Sequence, residues 1–150
     1  MRYYAARCVH RYDAVVADST TAQELLDAFA AKLQETLREE APMHRLWSDL
    51  RAQSMFEESL RDAVMTIDRT LEVMIWRVVS RYAELSGRES AGCPAAAYGM
   101  LDGVFQQALL AYGAAGSDDG ESVLATLADQ VRGLLPLVLR TDPPARPGTA

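Results

Sequence analysis

The sequence predicts an all-α protein, a multi-helix bundle of about six helices, and two observations support this fold class. Between residues 1 and 140, no segment alternates β-branched and polar residues as a half-buried strand would. Several segments instead repeat apolar residues every three or four positions, which is the period of an amphipathic helix. At 150 residues the chain has the usual size of one domain. We therefore expect one helical domain over residues 1–140 and a flexible tail over 141–150, which is too polar and proline-rich to pack.

The first two helices are predicted from their apolar stripes and from one capping motif. Helix one covers residues 2–17, where apolar and aromatic side chains recur along one side, and no capping residue precedes it. Helix two begins at Thr21, because Thr21 followed by Glu24 is a capping box in which both side chains satisfy backbone N–H groups. Its apolar stripe ends near Glu40.

The next two helices are delimited by a proline and a glycine. Pro42 suits the first turn of a short third helix that ends near Gln53. The fourth and longest helix runs from about Phe56 to Leu85, with apolar residues spaced alternately by four and three. Gly87 then supplies the stop at its carboxyl end.

The last two helices carry few charges. Helix five covers about residues 94–113, and Asp102 is its only charged side chain. Helix six is expected to be capped by Ser117 or Asp118, and Pro136 should kink or end it.

A helix that is apolar nearly all round must be covered on every side, and one short chain can hardly surround its outermost helices. We therefore expect a homodimer in which the last two helices of each subunit form a four-helix bundle. Burial of the same helices inside a monomer is the alternative. The residues predicted for the interface share one side of helix five or helix six: Tyr98, Leu101, Asp102, Phe105, Gln106, Leu109, Leu124, Leu127, Val131 and Leu134.

Charge and composition exclude several classes of protein. The formal net charge is −6, and acidic residues outnumber basic ones by 21 to 15, so no basic surface for nucleic acid is expected. No stretch of eighteen apolar residues is available for a membrane span, and the amino terminus lacks the apolar segment of a signal peptide. Cys8 and Cys93 have no CxxC spacing and are interpreted as reduced intracellular thiols. These features predict a cytoplasmic protein with no membrane partner.

Motifs of catalysis and metal binding are missing from the sequence. It has no GxSxG elbow, no P-loop, no glycine-rich dinucleotide turn and no Glu-x-x-His pair. His10 and His44 belong to different predicted helices, and Pro42 interrupts the helix that would align Glu40 with His44. We therefore expect no catalytic residues, no cofactor and no metal site.

Large aromatic and methionine side chains concentrate in helices three and four. Such side chains together can line a cavity that accepts varied apolar ligands. Asp68 and Glu72, next to this group, could orient a cationic or hydroxylated ligand. The alternatives are ordinary core filling for the apolar residues and, for the carboxylates, a solvated face paired with Arg61 or Arg69.

Two segments carry a family resemblance, HRLWSDLRAQSMFEESLRDAVMTIDRTLEVMIWRVV and AAAYGMLDGVFQQALLAYG. With the order and lengths of the helices, they resemble the carboxy-terminal part of a TetR-family transcriptional regulator, over residues 1 to about 139. The resemblance implies a homodimeric ligand-binding domain with its pocket among the first four helices and its dimer bundle in the last two. Carried over to this chain, it assigns the following residues to the pocket lining: Leu46, Trp47, Leu50, Met55, Phe56, Met65, Asp68, Glu72 and Trp76.

The chain departs from the family pattern at its amino terminus. Family members begin with a DNA-reading unit of roughly fifty residues that contains a helix-turn-helix, and the residues before Thr20 cannot hold its three helices. The segment RYYAARCVHRYDAVV resembles the helix that joins this unit to the effector domain. DNA-binding residues are therefore not assigned, and DNA is a partner only if a helix-turn-helix lies upstream.

The expected function is ligand sensing and dimerisation. In a full-length regulator, a small, largely apolar or amphipathic effector would control DNA binding through this domain. The alternative is a headless interaction module that forms heterodimers with intact regulators and has no ligand of its own.

Overall fold

A computed structural model places residues 2–115 and 119–141, apart from the side chains of residues 2, 4 and 5. The all-α prediction is confirmed, and no strand occurs in this part of the chain. None of the helices in these two ranges combines the length and the hydrophobicity that a membrane span requires. The placed residues form five α-helices and a closing 3-10 helix: α1 (Arg2–Asp18), α2 (Ala22–Gln53), α3 (Glu58–Leu85), α4 (Pro94–Ala114), α5 (Gly120–Leu134) and the 3-10 helix (Leu135–Val138).

Helix α2 begins with the predicted capping box. The backbone N–H of Glu24 donates to the Thr21 hydroxyl over 3.1 Å, and the Glu24 carboxylate accepts from the backbone N–H of Thr21 over 3.2 Å. The same carboxylate also accepts from the backbone N–H and the hydroxyl of Thr20. The first turn of α2 is thus fixed by side chains close to it in sequence, which is why the sequence could predict it.

A kink in α2 replaces the predicted boundary between the second and third helices. Glu40 has non-helical dihedral angles (φ −126°, ψ 17°), two residues before Pro42. Proline has no N–H to donate and its ring crowds the preceding turn, so the helix bends there instead of ending in a loop. The prediction of six helices is therefore corrected to five α-helices over the described residues.

The later boundaries agree with the sequence within a few residues. Gly87 follows α3 with a φ of +64°, a conformation that glycine adopts without steric cost. Pro94 occupies the first turn of α4. The predicted caps of the last helix, Ser117 and Asp118, lie outside the described residues, and the Asp119 side chain makes no capping hydrogen bond to α5.

Pro136 ends the regular helix, as predicted, and the chain continues as the 3-10 helix. The segment after it returns to the loop between α3 and α4, where Ser90 and Leu139 form an isolated bridge. The backbone N–H of Arg140 donates to the carbonyl of Glu89 over 2.9 Å. The prediction of a flexible tail falls largely on residues 142–150, which lie outside the described residues.

One main core joins all five helices, and a small second cluster lies at one end. Helix α2 packs against α5, α3 and α1, while α4 packs against α3 and α5. Phe29 of α2 is fully buried, as are Val78 of α3 and Val131 of α5. In the second cluster, Trp47 of α2 packs with Val64 and Ile67 of α3.

The residues predicted for the dimer interface lie on the inner side of their helices. Tyr98, Asp102, Gln106 and Leu134 are partly buried in the single chain. The other six are buried by the chain's own helices: Leu101, Phe105, Leu109, Leu124, Leu127 and Val131. A side chain covered by its own chain has little area left for a contact with another subunit, and the assignment of these six residues to an interface stays a prediction. The apolar period of each helix marks a covered face but does not say which neighbour covers it.

Candidate functional site

A cavity of about 70 Å³ lies between α1, α2, α3 and α4. Its wall is predominantly apolar and aromatic, with polar groups from α2 and α4. Helix α1, expected from the resemblance to be the connecting helix, supplies part of the wall. The lining residues are Cys8 and Tyr12 from α1, Phe29, Leu33, Thr36, His44 and Trp47 from α2, Leu71, Met74 and Ile75 from α3, and Tyr98, Leu101, Asp102, Phe105 and Gln106 from α4.

The α1 side of the wall is held by a buried hydroxyl pair. The hydroxyls of Tyr12 and Thr36 lie 3.0 Å apart, and the Thr36 hydroxyl donates to the carbonyl of Lys32 over 2.8 Å. Because Thr36 has a single hydroxyl hydrogen, Tyr12 is the donor in this pair. Burial raises the pKa of Tyr12 above its ordinary value, so the phenol stays protonated. The Tyr12 ring contacts Phe29 edge-on, with centroids 5.7 Å apart.

Trp47 contributes a hydrogen-bond donor at the wall. The residue is only 3% exposed, and its indole N–H is buried with no acceptor among the residues that the structure describes. A buried donor without an acceptor costs about 1–3 kcal/mol, so such groups are normally matched by a partner, a water molecule or a ligand. Trp47 is therefore a lining residue with a hydrogen-bond donor that a water molecule or a ligand can satisfy.

His44 lies on the same wall, one turn before Trp47. Its ring contacts Phe105 edge-on at 4.7 Å between centroids. Burial lowers the pKa of His44 to about 4, so the imidazole is neutral at physiological pH. Nearby, the Ser48 hydroxyl donates to the Gln106 side chain over 2.6 Å and thereby joins α2 to α4.

A polar hub closes the space between α2, α3 and α4 and borders the cavity. Arg51 of α2 donates to Asp102 of α4 over 2.6 Å and to Asp68 of α3 over 2.5 Å. It also donates to the Tyr98 hydroxyl over 2.8 Å, and that hydroxyl donates in turn to Asp68 over 2.7 Å. The guanidinium further lies 5.7 Å from the ring centroids of both Trp47 and Tyr98. We call Arg51, Asp68, Tyr98 and Asp102 the arginine hub.

The arginine hub has a formal charge of −1, since one guanidinium faces two carboxylates. Burial disfavours the charged guanidinium, but hydrogen bonds with Asp68 and Asp102 outweigh that effect and hold the pKa of Arg51 above its usual range. Burial also raises the pKa of Tyr98, reinforced by the charge of Asp102. Two hub members, Tyr98 and Asp102, line the cavity, so the hub supplies part of its polar wall.

Of the nine residues predicted to line the pocket, Trp47 lines this cavity. Leu50, Asp68, Glu72 and Trp76 are partly buried but lie outside its wall, and Asp68 belongs to the arginine hub. The remaining four are exposed and also lie outside the cavity wall: Leu46 (47%), Met55 (70%), Phe56 (89%) and Met65 (64%).

The exposure of these side chains follows from the way α2 meets α3. Met55 and Phe56 lie in the turn between the two helices, where they point away from both. The side of α3 that faces Trp47 carries Val64 and Ile67, and so the intervening Met65 faces outward.

Five of the residues predicted for the dimer interface line the cavity. They form one continuous stripe on α4: Tyr98, Leu101, Asp102, Phe105 and Gln106. Sequence reasoning found this stripe and predicted that a second subunit covers it, and in the single chain the stripe lines the cavity. The same reasoning missed Arg51 entirely, because the partners of Arg51 lie 17 and 51 residues away in the chain and leave no local signal.

The chain has no match among family models, curated proteins or solved structures. The resemblance therefore rests on the segments quoted above and on the helix order, and the family assignment stays a prediction.

Proposed function

We propose that this chain is the ligand-sensing and dimerisation domain of a TetR-like transcriptional regulator. A small, largely apolar effector would bind in the cavity among α1–α4 and, in a full-length protein, would control DNA binding. The observation that carries the proposal is the unsatisfied Trp47 indole N–H at the wall of an aromatic cavity to which α1 contributes.

The lining residues define the chemistry of the effector. Apolar and aromatic side chains suit a hydrophobic body, and the indole N–H of Trp47 suits a hydrogen-bond acceptor on the ligand. Asp102, with the net negative charge of the arginine hub behind it, suits a hydroxyl or a cationic group. An uncharged or cationic amphipathic molecule fits this set better than an anion does.

The size of the cavity suggests how binding would be transmitted. Pockets for drug-sized ligands occupy about 300–1,000 Å³, well above the 70 Å³ available here. An effector larger than a few heavy atoms would therefore have to separate the helices. Cys8 and Tyr12 place α1 in the wall, so that separation would move the helix expected to lead to a DNA-reading unit. An effector that prefers the expanded state would shift the population toward it, with a typical coupling of about 1–3 kcal/mol.

Ligand-induced stabilisation tests the proposal directly. The probes are indole, benzyl alcohol and benzyltrimethylammonium, which share an aromatic body and differ in polar group. We expect them to raise the melting temperature of the wild-type protein, because a ligand that binds only the folded state stabilises it. Trp47→Phe should weaken binding of benzyl alcohol, whose oxygen can accept from the indole N–H, by about 2- to 10-fold, the value of one hydrogen bond.

Trp76→Phe is the matched control, because Trp76 is the other tryptophan of the chain and lies outside the cavity wall. In that variant Trp47 is the sole tryptophan, and its fluorescence should change when a ligand binds. If all three probes leave both the melting temperature and the Trp47 fluorescence unchanged, the cavity is not a binding site for this class of effector.

Dimerisation is proposed through the exposed face of α4 that carries Gly99, Gly103 and Leu110. Leu110 is 75% exposed there, and a Cβ built on Gly99 or on Gly103 would meet no other atom within 4 Å. An open face with small residues allows another helix to approach closely. We expect Leu110→Glu to convert a dimer into a monomer in multi-angle light scattering, while Leu46→Glu, at an exposed position on α2, leaves the mass unchanged. A wild-type monomer at micromolar concentration would contradict this interface.

The second candidate function is an interaction module that pairs with full-length regulators and has no ligand of its own. The small volume of the cavity favours it, because a ligand-free domain has no need of a larger one. Native mass spectrometry of the chain mixed with full-length regulators separates the two functions. Heterodimers together with no response to the three probes would support the module, and a probe response without heterodimers would support the sensor.

A further inference from the structure

Three side chains of metal-binding type meet where α1 packs against the kink of α2. Cys8 of α1 is buried, and Glu40 and His44 of α2 are partly buried. The thiol sulfur, one carboxylate oxygen and one imidazole nitrogen all lie within 4.8 Å of one another. A thiol, an imidazole and a carboxylate from two helices thus face a common point.

The kink within α2 helps to bring these three side chains together. Glu40 is the residue with non-helical dihedral angles, and His44 lies one turn further along, beyond Pro42. The sequence suggested that Pro42 would keep Glu40 and His44 apart. The structure instead bends the helix at Glu40 and brings both side chains to the Cys8 position of α1.

We propose that Cys8, Glu40 and His44 form a binding site for Zn²⁺ or a related divalent transition metal. Thiolate, imidazole and carboxylate are the three ligand types that Zn²⁺ takes from proteins. Hard cations such as Mg²⁺ and Ca²⁺ bind sets of oxygen ligands, which this cluster does not offer. Three protein ligands leave a fourth tetrahedral position for water or for a donor atom of another molecule.

Only a small closure is needed to bind the metal. With bond lengths of about 2.0–2.3 Å, the ligand atoms of a tetrahedral zinc site lie about 3.3–3.8 Å apart. The ligand atoms of Cys8, Glu40 and His44 lie within 4.8 Å of one another, a limit that exceeds the range of a zinc site by roughly 1 Å. Rotation of the Glu40 and His44 side chains can supply such a shift without moving either helix.

Two arginines hold the Glu40 carboxylate and share its negative charge, so deprotonated Cys8 would be the main charge partner of Zn²⁺. Arg7 and Arg11 both donate to Oε1 of Glu40, over 3.2 and 2.9 Å, which leaves Oε2 as the oxygen we assign to the metal. Hydrogen bonds of this kind to a ligating carboxylate fix its orientation in known metal sites.

Cys8 and His44 also line the cavity, so a bound metal would become part of the cavity wall. It would join α1 to α2 beyond the kink and so stiffen the contact through which an effector is proposed to act. The metal site does not depend on the proposed effector, because its three ligands come from the protein alone. Its test therefore uses the metal alone.

The experiment is a titration of the metal-free protein with Co²⁺, which replaces Zn²⁺ and has visible absorption. We expect one equivalent to produce a thiolate-to-cobalt charge-transfer band in the near ultraviolet together with ligand-field bands, and Zn²⁺ to abolish both by displacement. Cys8→Ser should abolish the charge-transfer band. His44→Gln and Glu40→Gln should each weaken binding by about tenfold or more, because each removes a ligand.

Two residues of the same types serve as controls. Cys93 and His10 are exposed and lie outside the cluster, so Cys93→Ser and His10→Gln should titrate like the wild type. Far-ultraviolet circular dichroism checks that each variant is folded, and Zn²⁺ should raise the melting temperature of the wild type but not of Cys8→Ser. The proposal is overturned if the wild type shows no charge-transfer band, if Cys8→Ser retains it, or if Cys93→Ser loses it.

Discussion

Replacing Arg51 by Met tests whether the arginine hub stabilises the fold. Methionine keeps an unbranched side chain of similar reach but removes the guanidinium. The change eliminates the hydrogen bonds to Asp68, Asp102 and Tyr98. It leaves two carboxylates between α2, α3 and α4 without their cation.

The size of the effect follows from the exposure of the hub. Removing one partner of a fully buried ion pair costs about 3–5 kcal/mol, whereas exposed pairs contribute about 0–1 kcal/mol. The side chains of Arg51, Asp68 and Asp102 are 26%, 36% and 20% exposed, which places the hub between these limits. We expect Arg51→Met to lower the free energy of unfolding by about 2–3 kcal/mol, allowing for solvent screening. For a chain of this length the melting temperature should fall by about 4–12 °C.

The measurement is urea unfolding followed by far-ultraviolet circular dichroism, at pH 7 and one protein concentration. A fixed concentration is needed because the proposed dimerisation would make apparent stability depend on it. Arg38→Met is the control, since Arg38 pairs with Glu121 on the surface, where the side chains are 48% and 76% exposed. That variant should change the free energy of unfolding by less than about 0.5 kcal/mol.

A triple variant separates lost bonding from repulsion between the carboxylates. Combining Arg51→Met with Asp68→Asn and Asp102→Asn removes both unpaired charges. It should recover about half of the lost stability, because neutral amides are less costly to desolvate than carboxylates. The reasoning is refuted if Arg51→Met costs no more than Arg38→Met, or if the triple variant is no more stable than Arg51→Met.

Three further predictions concern the cavity wall and the first turn of α2. Because the pKa of His44 is lowered to about 4 in the folded state, against about 6.5 unfolded, the unfolded chain binds more protons between these values. This difference in pKa should contribute about 2–3 kcal/mol to the free energy of unfolding, a contribution that is complete above pH 6.5 and lost as the pH falls toward 4. Urea unfolding midpoints measured in EDTA should therefore rise with pH over this range. His44→Gln should reduce that rise. Phe29→Ala should cost about 3–5 kcal/mol in the same assay, because Phe29 is fully buried, and a loss below about 1 kcal/mol would contradict the packing described. Thr21→Ala should lower the free energy of unfolding by about 1 kcal/mol through loss of the capping hydrogen bond. Thr66→Ala, on the exposed face of α3, is the control and should cost less than about 0.5 kcal/mol. Equal losses in the two variants would argue against the cap.

Local features were predictable where the interacting residues are close in sequence. The capping box of Thr21 and Glu24, the glycine stop at Gly87 and the proline start at Pro94 each depend on a few neighbouring residues. The apolar period also identified the stripe of α4 that now forms a cavity wall. These features are encoded in backbone geometry and helical spacing, so one sequence suffices to find them.

The sequence by itself determined the helical class, most helix boundaries and the faces that must be covered. Only the tertiary structure decided which helix covers each face, whether Pro42 bends α2 or ends it, and where Arg51 finds its partners. The physical reason is that burial of an apolar face gains free energy against any apolar neighbour, so periodicity cannot distinguish the chain's own core from a second subunit. That choice depends on the packing of five helices at once, and it placed Trp47, His44 and the α4 stripe around one cavity.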